Sequence, residues 1–229
     1  MSTVLRFIAL VAFGWTLLSI AEEKPAPSVP KTTPAKPDKL ALAKIKYQPP
    51  LRGALSSEQP HRRRGGARGD GVSLITLEVL APDHTGWTGQ PQPTLYWFQS
   101  APADVPFEFS VIREGDPKPL VLVRLPDARA AGLQRLRLAD HGVKLEPGVE
   151  YEWVVALVVN PESRSRDVIA SGYIQYDPAS TARTDAAESA AAGLWYDALS
   201  QIIDAQSDEL VTLLAQVGLT NVTATTLPR

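Results

Sequence analysis

Two acid–histidine pairs recur in the sequence, Asp83-His84 and Asp140-His141. Two imidazoles and two carboxylates suffice to hold a divalent cation if their loops lie at the same end of the fold. Both pairs also sit in turn-forming stretches near glycine, where Asp and His serve the backbone, and that reading is preferred. The chain has three His and no Cys. That excludes a His-rich metal centre, thiol catalysis, thiolate-bound metals, a disulfide framework and lipidation at an N-terminal Cys. Ser163 and Ser165 lie in a polar loop, but no Gly-x-Ser-x-Gly elbow is present and no spacing ties either serine to a base. No catalytic residue, metal or cofactor is assigned.

The best candidate site is the loop Asn160–Asp167. Loops between confident strands carry function disproportionately. Glu162, Arg164, Arg166 and Asp167 can pair among themselves and order the loop. Alternatively, Arg164 and Arg166 can present guanidinium groups to a carboxylate or phosphate. Alternation of opposite charges favours the internal pairing. Among the aromatics, Trp87 lies in a Gly/Thr/Pro-rich stretch and is the best candidate for an exposed stacking platform for a glycan. Tyr196 and Asp197 lie off the apolar stripe of a predicted helix, free to contact a partner or a sheet edge.

These residues need a scaffold, and the chain has enough length for one. Its 229 residues allow one ordinary domain plus a tail, or two small domains. Arg6 followed by the apolar run Phe7–Ala21, with Ser19 and Ala21 at small-residue cleavage positions, reads as a secretory signal over 1–21. The run is shorter than the ~20 residues of a spanning helix. An uncleaved anchor is the alternative. Residues 22–71 read as a disordered linker, holding eight of the twenty prolines and the basic Gly-rich segment His61–Gly71; its one apolar patch, Leu40–Ile45, could dock on something, but a disordered stretch is the preferred reading. The linker has eleven Lys/Arg against five Asp/Glu, a net +6, whereas 72–229 has eleven against twenty, a net −9. A basic tail on an acidic domain is expected to meet an anionic surface or nothing at all.

Residues 72–177 show the period of strands. Phe107, Phe109 and Val111 share one face, and Leu136 and Leu138 oppose Arg135 and Arg137. Tyr151–Val159 begins alternating and ends apolar on both faces, as a central strand does, and Val168–Tyr176 returns beside it as a hairpin. The fold expected is mainly β: an antiparallel β-sandwich of about seven strands. Tyr96 and Trp97 must face opposite ways, one of them under the C-terminal helices.

Residues 178–229 are expected to form a two-helix hairpin packed on the sandwich. Asp185 and Glu188 have capping-box spacing, and Ala187, Ala191, Leu194, Trp195, Ala198, Ile202 and Ala205 mark one face. Ser207 opens the second helix and Gly218 closes it.

Several segments together carry a resemblance. They are Tyr151-Glu152-Trp153 leading to Asn160-Pro161-Glu162-Ser163-Arg164-Ser165-Arg166-Asp167, then Gly172-Tyr173-Ile174-Gln175, Gly193-Leu194-Trp195-Tyr196-Asp197-Ala198-Leu199, Leu95–Phe98 and Arg64–Gly69. With them the chain resembles the bacterial, mostly cyanobacterial, family catalogued as domain of unknown function 928, over about Arg62 to Leu219. The resemblance implies an exported protein and supplies no catalytic residues. Some relatives are expected to carry Cys, and its absence here means no disulfide is needed. The function expected is a non-catalytic interaction module of the bacterial envelope, periplasmic or extracellular, with the signal cleaved after Ala21. Its partner is an unknown envelope protein or glycan. Nucleic acid is not expected, and membrane contact arises only through an uncleaved signal or the basic linker. The alternatives are a glycan or small-ligand domain and, less favoured, a hydrolase with an unrecognised site.

Overall fold

The computed structural model describes residues 45–50, 62, 64–66, 75–125, 130–180 and 183–222, with backbone alone for 64–66. The expected signal segment and most of the expected linker lie outside these residues.

Nine strands form among the described residues: β1 (Arg64–Gly66), β2 (Thr76–Val79), β3 (Gly86–Thr88), β4 (Thr94–Gln99), β5 (Phe107–Arg113), β6 (Pro119–Leu125), β7 (Gly132–Arg137), β8 (Glu150–Leu157) and β9 (Val168–Tyr176). They make a four-stranded sheet, β1-β2-β4-β7, and a five-stranded sheet, β3-β9-β8-β5-β6. All pairings are antiparallel except β3 with β9, which is parallel. The two additional strands are three-residue pieces, β1 and β3, too short to show a period of two.

The sheets meet through the residues whose alternation marked an inner face. Phe107, Phe109 and Val111 are fully buried, as are Trp153, Val155 and Leu157 on β8. β8 is central, between β5 and β9, and pairs with β9 from Glu150↔Gln175 to Leu157↔Val168. Trp97 of the four-stranded sheet stands 6.4 Å from Phe109 of the other, and Phe109 is 6.2 Å from Trp153. Burial of these large rings supplies the main driving force, at roughly 25 cal/mol per Å² of apolar surface removed from water. Contact is close enough that Gly172 is required. A Cβ built there would lie 2.6 Å from Cβ of Ala81.

Three helices follow: α1 (Ala186–Ala191), α2 (Trp195–Asp204) and α3 (Glu209–Ala215). Two helices were expected. The continuous helix anticipated across 187–205 breaks at Gly193, which has φ +80°. There the N–H of Leu194 donates to Ser189 O (2.9 Å) and that of Gly193 to Ala190 O (3.1 Å), a Schellman stop. Ala191, the last residue of α1, and Ala205, just past the end of α2, are expected inside and are exposed. Asp185 caps α1 as its spacing implied, accepting from the Glu188 N–H at 3.0 Å. Gly218, φ +74°, closes α3.

Helix α2 packs against β3 of the five-stranded sheet and β4 of the four-stranded sheet. Tyr96 and Trp97 point to opposite faces, and Tyr96 is the one beneath the helices, its hydroxyl 3.2 Å from Ser200 Oγ. No described helix is long and apolar enough to cross a membrane.

Candidate functional site

The Asn160–Asp167 loop closes on itself. Asn160 Oδ1 accepts from the Glu162 N–H at 2.9 Å, and Arg164–Arg166 form one 3-10 turn. Arg164 Nε donates to Asp167 Oδ2 and Nη2 donates to Glu108 Oε2, both at 2.6 Å. Its guanidinium is thus spent between two carboxylates, one within the loop and one on β5. These contacts raise the Arg164 pKa, and the hydrogen bond from Arg164 is the main reason the Glu108 pKa is lowered. The Asp167 side chain is 2% exposed, so its charge needs that partner. Glu162 and Arg166 are exposed, and Arg166 has a partner of its own. The loop is ordered by internal pairing, and Arg164 is not offered to an outside anion.

Trp87, expected as an exposed platform, is half-buried on β3, opposite Gln175. The short parallel pairing with β9 draws its stretch into the sheet edge. Tyr196 and Asp197, expected to be free for a partner, are each 1% exposed. They are internal because α2 is covered on several sides. Tyr196 reaches between the sheets, accepting from Trp153 Nε1 (2.9 Å) and donating to Tyr173 O (2.8 Å). Burial pushes its phenol pKa well up. Asp197 accepts from the Gly89 N–H (3.0 Å) and Gln90 Nε2 (3.3 Å), fixing the turn after β3. Desolvation raises its pKa against the lowering effect of those donors.

The acid–histidine pairs do leave the same end of one sheet, since β2 and β7 both run antiparallel to β4. They are nevertheless not assembled. No group of three His, Asp or Glu among the described residues can hold a metal. Asp140 and His141 border an open depression of about 250 Å³ with Arg135, Arg137, Leu125 and Leu136. His84 is held by Tyr47: the rings stack at 5.7 Å, and Nε2 shares a 2.8 Å hydrogen bond with the hydroxyl.

Tyr47 belongs to a segment read from sequence as linker, and here that reading is corrected. Residues 45–50 form a strap on the helices. Ile45 and Tyr47 are 3% and 6% exposed, whereas Lys46 and Gln48 between and after them are exposed. Gln216, just past α3, brackets the strap: its Oε1 accepts from the Tyr47 N–H (2.8 Å) and its Nε2 donates to Ile45 O (3.0 Å). The Gln48 N–H donates to Ala190 O at 3.0 Å. Arg62 is also part of the fold. Nη1 donates to Ala81 O (2.8 Å) and Val217 O (3.0 Å), and Nη2 pairs with Asp83 at 3.2 Å. Sequence reasoning missed Arg62 because it is one of three consecutive arginines with nothing local to distinguish it. The period-two apolar residues Ile45 and Tyr47 were the one signal for the strap.

β6 is an edge strand, with Leu120 and Leu122 exposed at 48% and 60% and Val121 and Val123 half-buried between them. Strand register puts Ile169, 45% exposed, on the same outer face as Leu122.

Fold and site together define a mainly β protein of two sheets with three helices near the C-terminus. A family model, Domain of Unknown Function (DUF928), matches residues 63–227, and the chain belongs to that family. No curated protein matched the chain. No solved structure matched it.

Proposed function

We propose that the chain is an exported, non-catalytic interaction module of the bacterial cell envelope that binds a protein partner along the β6 edge. In this reading residues 1–21 are a secretory signal cleaved after Ala21, a basic linker follows, and the strands form a β-sandwich with a helical layer on one face. Sheet packing through Trp97, Phe109 and Trp153 supports the sandwich description. The signal pattern of Arg6 and Phe7–Ala21 supports export.

One observation carries the interaction reading. Three of the four most exposed large hydrophobics among the described residues, Leu120, Leu122 and Ile169, lie on one sheet face, two of them on its edge strand. An edge of this kind, uncharged from Leu120 to Val123, is a template for an added strand. The partner is a protein with an extended segment whose alternate apolar side chains cover Leu120 and Leu122 while its backbone pairs with β6.

The test uses the mature chain, 22–229, and its Leu122→Lys variant as baits for solubilised envelope. One identified protein, purified and cross-linked to β6, should bind the wild type and bind the variant at least about tenfold less. Equal retention by both baits rejects the β6 edge. Retention that salt strips equally from both baits assigns the binding to the basic linker instead. Protein sequencing of the exported form should begin at Glu22; an intact N-terminus would replace the soluble module with an anchored one.

A further inference from the structure

We propose that the groove between α1, α2 and α3 is a binding site for an extended peptide carrying an aliphatic residue and a tyrosine two positions apart. Its occupant in trans is the strap of a second copy of this chain. The structure shows the groove filled by residues 45–50 in cis. The inference is independent of the β6 edge, and Leu122→Lys leaves it unchanged.

The groove recognises a peptide in two ways. It reads the backbone through the bracket made by the Gln216 amide and through Ala190 O, contacts that any extended segment could satisfy. It reads side chains at alternate positions. Ile45 and Tyr47 are buried while Lys46 and Gln48 face out, the spacing of a strand rather than a helix. The tyrosine pocket is specific: Trp195 meets the ring edge-on at 5.0 Å, and His84 stacks on it and takes the hydroxyl. At the far end Gly193 makes room for the strap. A Cβ there would stand 3.0 Å from Gln48 O and 3.3 Å from Pro50.

Groove and occupant are also separable along the chain. Gln216, Ala190, His84, Trp195 and Gly193 all lie within the 63–227 family match, and the strap lies before it. Eleven residues, 51–61, join Pro50 to the clasped Arg62. At about 3.3–3.6 Å per residue they can extend on the order of 40 Å, comparable with the diameter of a domain this size. A strap can therefore leave its own groove and enter a neighbour's while its Arg62 stays in place. Reciprocal exchange repeats every contact and closes a two-fold pair. The short tether gives the cis seat an effective concentration in the millimolar range, so exchange grows with protein concentration.

The probe is a fluorescein-labelled peptide of residues 40–52, titrated against the full mature chain and against the same chain carrying Ile45→Asp and Tyr47→Ser. The double variant, its own groove vacated, should bind saturably, and the wild type should bind at least about tenfold more weakly. A peptide with Tyr47→Ser should not bind. Equal binding to both proteins, equal binding of the altered peptide, or no binding to a folded double variant overturns the groove.

The second-copy occupant is tested on the wild-type fold. Because the chain lacks Cys, a spin label on Lys46→Cys, an exposed position, is unique. This copy is mixed with ¹⁵N-labelled wild type at about 1 mM, the effective concentration of the cis seat. Exchange should broaden the amides of Gln216 and Ala190 in the ¹⁵N copy, and broadening should fall on dilution. No intermolecular broadening overturns the trans occupant, whether or not the double variant folds.

Discussion

Truncating Arg62 should destabilise the whole body, although its sequence context suggests a dispensable tail. The side chain is 5% exposed and donates through Nη1 to two carbonyls, Ala81 O and Val217 O. Ala81 is fully buried, so in Arg62→Ala its carbonyl loses a charged donor without access to water. A buried acceptor left in that state costs about 1–3 kcal/mol. Val217 is half-buried and closes the last turn of α3, so water replaces part of what is lost there. The Asp83 contact adds less than about 1 kcal/mol, since that carboxylate is 63% exposed. The expected loss is about 2–4 kcal/mol, a fall in Tm on the order of 10 °C for a domain of this size. Urea unfolding of residues 22–229, followed by the fluorescence of buried Trp97, Trp153 and Trp195, measures it. Arg62→Lys should recover only part of the loss, because one ammonium cannot reproduce the planar fork. Asp83→Asn should stay within about 0.5 kcal/mol of the wild type. If Arg62→Ala itself lies within that margin at unchanged m-value, the clasp is wrong and Arg62 belongs to the tail.

Three further outcomes are expected. Gly172→Ala forces a Cβ to within 2.6 Å of Ala81 between the sheets and should cost about 1–3 kcal/mol in the same urea assay; a neutral result would mean that the sheets are further apart than described. Asp197 has a raised pKa, so between its unfolded and folded values the native state holds the extra proton and stability falls as pH rises. Asp197→Asn keeps an acceptor for the Gly89 N–H, and its stability relative to wild type should improve from pH 3 to pH 7. Asp197→Ala, which strands that donor, should be less stable than Asp197→Asn throughout. Arg164→Ala should cost more than an ordinary surface ion pair, about 1–3 kcal/mol, because it leaves the nearly buried Asp167 carboxylate unpaired. Glu108, its pKa lowered by Arg164, stabilises the fold above the unfolded carboxylate range. That contribution fades as pH falls through the folded value and should be absent from the Arg164→Ala pH profile.

Much of the scaffold was legible residue by residue. Alternation in Phe107, Phe109 and Val111 and along β8 named the inner face, since a strand turns each second side chain the same way. Asp185 announced a helix start and Gly218 a helix stop, each through hydrogen bonds within a few residues of chain. The charges of the Asn160–Asp167 loop foretold their own pairing, although Glu108 on β5 was not foreseen as the third member. Gly193 is visible in the sequence, but a glycine inside an apolar helical period is as compatible with a continuous helix as with a stop.

What the sequence determined by itself was local: period, caps, turns and the sides of strands on which apolar residues fall. These depend on neighbours within a helical turn or a strand, and those neighbours are written next to one another. Only the tertiary structure decided which distant partner each remaining residue would find. It placed Arg62 on carbonyls 19 and 155 positions away. It placed Tyr47 between His84 and Trp195, and enclosed Tyr196 and Asp197 by bringing the sheet edge to α2. Those pairings carry no sequence period, because they arise where separate elements close over one another. A basic residue in a run of basic residues looks the same whether solvent or a buried carbonyl awaits it.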